Sequence, residues 1–239
     1  FTSYAREAQV FPSGFQKLCV GLFAAMLLAA PLVLDTYLVS ILNLICIAVI
    51  GAASLNLLTG VCGQISLGHG AFVGVGAYGA AQATLAGIPF PLALIIGGLA
   101  AAAAGMVFGV PSLRLKGIYL AIATLAAQLI LEYVFLHWEA LTGGSNGLLV
   151  DTPTLFGFAL DTDVKMFYCI LAVTALVLLV ITNLMRTRFG RAFVSIRDFY
   201  LSAEIAGVNL FAYKLYAFGV SSFFAGVAGG LWAHYTMYV

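Results

Sequence analysis

Charge is what this chain has least of. Of its 239 residues, 8 % are Asp, Glu, Lys or Arg, while 63 % are hydrophobic. A soluble domain carries about 25 % charged residues, so a water-exposed globular fold is excluded and a polytopic membrane protein is indicated. The sequence also lacks any G-x-x-x-x-G-K-[ST] run, which excludes ATP binding through a P-loop in this chain. It has four cysteines (Cys19, Cys46, Cys62, Cys169), none in a C-x-x-C or Cys/His spacing. A disulfide framework and a zinc site are both disfavoured, and the thiols read as small buried hydrophobes. Acidic pairs are missing from the apolar segments, where Glu132 is the one candidate carboxylate. That weighs against proton or sodium coupling within the chain. A net charge of +1 says nothing in favour of a nucleic-acid partner, and none is expected.

What is present is length without charge. A membrane span needs about 20 apolar residues. Seven segments qualify, at 15–34, 37–58, 64–86, 89–110, 117–137, 166–185 and 211–235. The reading is all-α, with about seven membrane segments in a domain over 15–239 after a cytoplasmic N-terminal segment over 1–14. The third segment is rich in glycine and is expected to be irregular or broken. Basic residues sort to one side. Arg6, Lys17, Arg114, Lys116, Arg186, Arg188, Arg191, Arg197 and Lys214 all fall inside if the N-terminus is cytoplasmic, leaving Lys165 outside. The 138–164 loop then faces out with four acids, and Trp138, Trp232, Tyr235 and Tyr238 lie at the outer ends as an interfacial belt.

Small residues recur at helical spacing: Gly97, Ala101, Gly105 and Gly109; Gly70 and Gly74; Gly226 and Gly230. Such stripes let helices approach closely in lipid. Gly74-Val-Gly76-Ala-Tyr-Gly79 matches G-x-G-x-x-G but follows no strand and has no acid about 20 residues on, so helix packing is the better reading. The stretch after Gly63 and the stretch after Ala217 echo each other faintly, as a duplication or as chance likeness between Gly/Ala-rich helices. Ser221 and His234 lie on one helix, roughly 20 Å apart at 1.5 Å per residue, so a serine–histidine nucleophile is not available from that pair. Thr142-Gly-Gly-Ser-Asn-Gly147 is an external glycine turn, read as ordinary or as shaping an entrance.

The most basic loop, 186–214, contains a short helix with exposed apolar residues. Asp198 suits its N-cap, Gly207 its C′ position, and Leu201 and Ile205 share a face. A capped apolar helix on the cytoplasmic side is a socket for a soluble partner. Leu201, Glu204 and Ile205 are candidate partner contacts; Arg191 and Arg197 suit partner carboxylates or anionic lipid. Thr124, Gln128 and Glu132 are four apart and line one helix face. With Gln64, Ser66 and His69 they are candidates to line a path, although His69 equally fits a hydrogen-bonded structural histidine.

Six strings resemble the LivM-type permease family of branched-chain amino acid ABC importers. They are Leu55-Asn-Leu-Leu-Thr-Gly60, Gly63-Gln-Ile-Ser-Leu-Gly-His-Gly-Ala-Phe72, Gly117-Ile-Tyr-Leu-Ala-Ile-Ala-Thr124, Leu141-Thr-Gly-Gly-Ser-Asn-Gly-Leu148, Arg188-Phe-Gly-Arg-Ala192 and Ala203-Glu-Ile-Ala-Gly207. A seventh, Tyr213-Lys-Leu-Tyr-Ala-Phe218, follows in order. The resemblance covers most of 40–239. It implies a permease bundle in a bacterial or archaeal inner membrane. The implied partners are a second related permease, two ATPases that hold ATP and Mg, and an extracytoplasmic binding protein. This chain itself would carry no cofactor and no enzyme activity. The family's ATPase-coupling element falls on Arg197, Asp198, Leu201, Glu204, Ile205 and Gly207. Members usually continue through further membrane segments, so the resemblance implies a fragment or a missing tail after Val239. Relatives also move urea and short-chain amides, which stay open as substrates. A stand-alone secondary transporter or channel is the alternative class.

Overall fold

The computed structural model describes residues 14–112, 115, 117–155 and 158–239. Expectations placed on residues 1–13 (Arg6 among them), Arg114 and Lys116 lie outside the described residues. The helices are α1 Gly14–Val33, α2 Thr36–Asn56, α3 His69–Leu85, α4 Phe90–Ser112, α5 Ile118–His137, α6 Glu139–Thr142, α7 Asp163–Arg186, α8 Arg188–Asp198, α9 Tyr200–Ile205 and α10 Leu210–Thr236. A π-helical turn, Leu57–Val61, extends α2, and Thr154–Leu155 pairs antiparallel with Phe158–Ala159 as a small hairpin.

Among the described residues six helices are long and apolar enough to cross a membrane: α1, α2 with its π turn, α4, α5, α7 and α10. The protein is a multi-pass membrane protein of the all-α class. The seventh expected segment is α3, shortened to 17 residues because 62–68 runs irregularly before it. Irregular backbone at membrane depth is tolerated only where protein covers it or it lines a cavity. Here Leu67 N–H donates to Thr124 Oγ1 at 3.0 Å and Gln64 N–H to the Leu58 carbonyl at 3.0 Å.

α10 is the axis of the bundle. Its apolar window is 72 % buried, against 0 % for α1. Small residues make this possible, since lipid tails are as apolar as leucine and helices associate by close packing. A Cβ at Gly76 would strike the backbone of Gly226, and one at Gly229 would strike the Val73 carbonyl. Gly97 lies against Gly76 and Ala80, Gly105 against Ser222, and Gly109 against Phe218 and Leu215. The α4 stripe is therefore a packing seam, and so is the G-x-G-x-x-G run. The two segments that echo each other, α3 and α10, lie side by side through Gly76 and Gly226 and run the same way: Val73 meets Gly229, and Thr84 lies 2.7 Å from His234.

The 138–164 loop is stitched to the end of α10. Leu148 N–H donates to the Val239 carbonyl at 2.9 Å, Val239 N–H to that of Leu148 at 3.0 Å, and Val150 N–H to that of Met237 at 3.0 Å. Gly143, Gly144 and Gly147 have φ of +73°, +60° and +65°, which explains the glycines of this turn. Thr142 at its root is buried and donates to the Phe135 carbonyl at 2.6 Å. Lys165 pairs with Asp161 at 2.6 Å at the mouth of α7, and this contact holds the exposed Asp161 carboxyl below its usual range.

Candidate functional site

The basic 186–214 loop folds into two helices where one, over 198–207, is expected from sequence. α8 is capped by Thr187, whose Oγ1 accepts the Phe189 N–H at 3.2 Å. Phe193 and Ile196 on its inner side are buried, Phe193 among Leu58, Cys62, Leu120, Ala217 and Phe218. Phe189, Phe193 and Ile196 stand at i, i+4 and i+7, a signal of an amphipathic helix that the sequence reading passed over in favour of the capping pattern downstream.

Asp198 is not the N-cap of the second helix. It is the last residue of α8, and the chain bends at Phe199 (φ −148°, ψ 82°), which takes the cap position without a side-chain cap bond. The Asp198 carboxylate instead accepts from Arg197 Nε at 2.9 Å. The charge-assisted bond to its neighbour occupies the group that capping would need. The other end matches the sequence reading. Gly207 has φ +87°, its N–H donates to the Glu204 carbonyl at 3.0 Å and Val208 N–H to that of Ala203 at 3.0 Å. That is the paired pattern of a Schellman stop. Ala203 is buried beneath the short helix, while Phe199, Leu201 and Ile205 are 74 %, 60 % and 88 % exposed and Glu204 is also exposed. Arg197 reaches across to the π turn, donating from Nη1 to the Gly60 carbonyl at 2.9 Å.

The second half of the site is the break before α3. Gln64, Ser66 and His69 are buried. Gln64 Nε2 donates to Cys62 Sγ at 3.1 Å and to the Lys214 carbonyl at 3.4 Å. His69 Nε2 lies 2.9 Å from Ser54 Oγ, which donates to the Gly51 carbonyl at 2.7 Å. Ser221 Oγ donates to the Ser54 carbonyl at 2.6 Å and so has no histidine partner. Gln64 Oε1, Ser66 Oγ and His69 Nδ1 are buried without a hydrogen-bond partner. Unpaired buried polar atoms are costly and demand an explanation. Of the α5 stripe, Thr124 is buried, Gln128 half-buried and Glu132 exposed, so the stripe runs from the interior to the surface. Thr124 acts as a staple: besides accepting from Leu67, its hydroxyl donates to the Ala121 carbonyl at 2.9 Å.

Beside the break a groove of 630 Å³ opens between α2 and α3, with α10 behind it; Leu44, Ile47, Gly51, Gly70, Tyr78 and Trp232 are among its lining. It is overwhelmingly apolar. Among the described residues no cluster of His, Cys, Asp or Glu is arranged to hold a metal ion.

Residues 37–239 match the family described as branched-chain amino acid transport system / permease component. The high-affinity branched-chain amino acid transport system permease protein LivM of Escherichia coli (strain K12) is 35 % identical over 243 residues, covering 91 % of this chain and 57 % of that relative. The protein of the same name from Salmonella typhimurium is 32 % identical with the same coverage. The chain thus spans a little over half the length of these curated relatives. No solved structure matches it. With its membrane helices, its ordered motif strings and a match over 37–239, the chain belongs to the branched-chain amino acid transport permease family.

Proposed function

We propose that this chain is the membrane subunit of an ATP-driven importer that moves hydrophobic, branched-chain amino acids inward across a bacterial or archaeal inner membrane. Its N-terminus is cytoplasmic. ATP and Mg are bound by two separate ATPase subunits, a second related permease completes the membrane part, and an extracytoplasmic binding protein delivers substrate. The chain performs no catalysis of its own. The observation that carries this reading is the α8–α9 element. Phe199, Leu201 and Ile205 leave apolar side chains uncovered by the rest of the chain beside Arg188, Arg191 and Arg197, on the same end of the bundle as Gly60. An exposed apolar patch on a short helix with a glycine stop, next to an arginine-rich helix, is a protein contact rather than a solvated loop. Asp198 and Gly207 shape the element, and Leu201, Glu204 and Ile205 meet the ATPase.

The path runs along the α2–α3 groove and past the break. Apolar walls accept an aliphatic side chain, while Gln64, Ser66 and His69 offer polar atoms that lack internal partners. Thr124 and Gln128 support the break from α5, and Glu132 lies toward the outer surface. ATP binding moves α9 and shifts the bundle between outward- and inward-open states by rigid-body motion.

Reconstitution of the protein with its partner subunits in proteoliposomes tests this. Leucine uptake is expected to require ATP and to be competed by isoleucine and valine but not by urea. Uptake without ATP, driven by an ion gradient, overturns the reading. The groove has its own test. Nothing lies within 4 Å of a Cβ at Gly51, which lines the groove, so the side chain of Gly51→Leu enters the groove from an open position. Membrane levels are expected to hold while leucine uptake falls about tenfold or more, the scale on which apolar pockets discriminate.

A further inference from the structure

Arg197 behaves unlike a residue reserved for an outside partner. Its guanidinium reaches the Gly60 carbonyl, 137 positions earlier in the chain, while Asp198 holds its Nε. Gly63, with φ +71°, lies under the Arg197 stem, and a Cβ there would come within 2.8 Å of Arg197 Cγ. Phe193, one turn earlier on α8, packs in one cluster with Leu58, inside the same π turn, and Cys62, just after it. α8 therefore grips Leu57–Gly63 twice, by an apolar contact and by a charged fork. π turns are frequent at functional sites, and this one leads directly into the stretch carrying Gln64, Ser66 and His69.

We infer that Arg197 is a positioning residue that carries the movement of α8–α9 into the break at 60–68, with Asp198 aiming its guanidinium. The inference rests on the ATP-driven reading above and adds to it where the stroke is delivered: to the polar break rather than to the helices at large. The planar guanidinium keeps the Gly60 carbonyl and the Asp198 carboxylate in a fixed relation, which a flexible ammonium cannot do. The Arg197 and Asp198 side chains are 43 % and 47 % exposed, so the contact can be remade without deep desolvation. Movement of α8 pulls on Gly60 and Gly63, and the strain passes along 62–68 to the Leu67–Thr124 bond and the start of α3.

The experiment compares ATP hydrolysis with leucine uptake in the reconstituted complete transporter. For Arg197→Ala the ATPases are expected to co-purify and hydrolysis to stay within about twofold of the unmodified protein. Uptake per ATP should fall about tenfold, the scale of one charge-assisted hydrogen bond. Arg197→Lys should recover part of the coupling ratio, because an ammonium reaches one carbonyl but cannot hold Asp198 as well. Gly63→Ala, which both strains a left-handed backbone and meets the Arg197 stem, should lower the same ratio, and the part due to Arg197 beyond Cβ should disappear when Arg197 is already alanine, so the double variant falls short of the product of the two. Loss of ATPase co-purification with Arg197→Ala would make Arg197 a partner contact and overturn the inference. So would an unchanged coupling ratio, or additive effects of the two substitutions. If the unmodified transporter shows no ATP-dependent uptake, it is the underlying functional reading that fails.

Discussion

Leu201→Asp combined with Glu204→Arg is expected to abolish uptake while the protein still inserts and folds. Leu201 is 60 % exposed and Glu204 is exposed within this chain, and surface substitutions of that kind usually change stability by less than about 0.5 kcal/mol. Against an ATPase the outcome differs. Burying a leucine is worth about 1.5–3 kcal/mol, and placing an aspartate in the same pocket adds the cost of an unpaired charge. A combined loss of about 3–5 kcal/mol weakens association by about two to three and a half orders of magnitude. Co-purification of the ATPase subunits, read beside leucine uptake and membrane level, decides the matter. Both association and uptake should vanish with membrane level unchanged, and normal uptake would dismiss the α9 socket.

Gly229→Val or Gly76→Leu is expected to remove folded protein altogether. A Cβ at Gly229 meets the Val73 carbonyl, and one at Gly76 meets the main chain of Gly226. Main chain inside a packed bundle has no alternative rotamer, so the helices must separate. Overpacking commonly costs about 1–3 kcal/mol and more where nothing can yield. Here the separation also undoes the neighbouring contacts of Gly97, Ala101 and Gly230. The monodisperse peak in detergent should drop to about a tenth or less, since each 1.4 kcal/mol is a factor of ten. Gly51→Leu, at an open position, is the control that should keep it. Equal yields for Gly229→Val and Gly51→Leu would mean the seam is not the bond that holds the bundle.

The contrast between those two glycines shows what sequence makes legible. Spacing identified Gly97, Gly105 and Gly109 as a stripe, and the stripe is a seam. Gly51 carries the same letter in an equally apolar segment, yet faces a groove, and only the arrangement of α2, α3 and α10 separates the two roles. Gly207 was readable because a left-handed stop is a local demand of the backbone. Asp198 was misread because its choice between capping and pairing is settled by Arg197, and Arg197 is in turn fixed by a carbonyl 137 residues away. α8 was readable from Phe189, Phe193 and Ile196 but was overlooked inside a loop defined by its charges. The break before α3 announced itself through glycine content. That Gln64, Ser66 and His69 are buried there with unpaired atoms, while Glu132 is exposed, depends on long-range packing that no local pattern records.

The central place of α10 sets a clock on the making of the protein. Its partners in the seam end at Gly109, and Gly226 emerges 117 residues later. At about 5–20 residues per second that interval is roughly 6–23 s. Over that interval the faces of α3 and α4 that pack on α10 in the finished bundle are without the helix that covers them. Those faces must neither collapse together nor accept a stray helix before α10 arrives. Small residues therefore serve the nascent chain as well as the finished bundle: they shape a berth too shallow for a leucine-studded helix and well matched to a helix whose own face is equally bare.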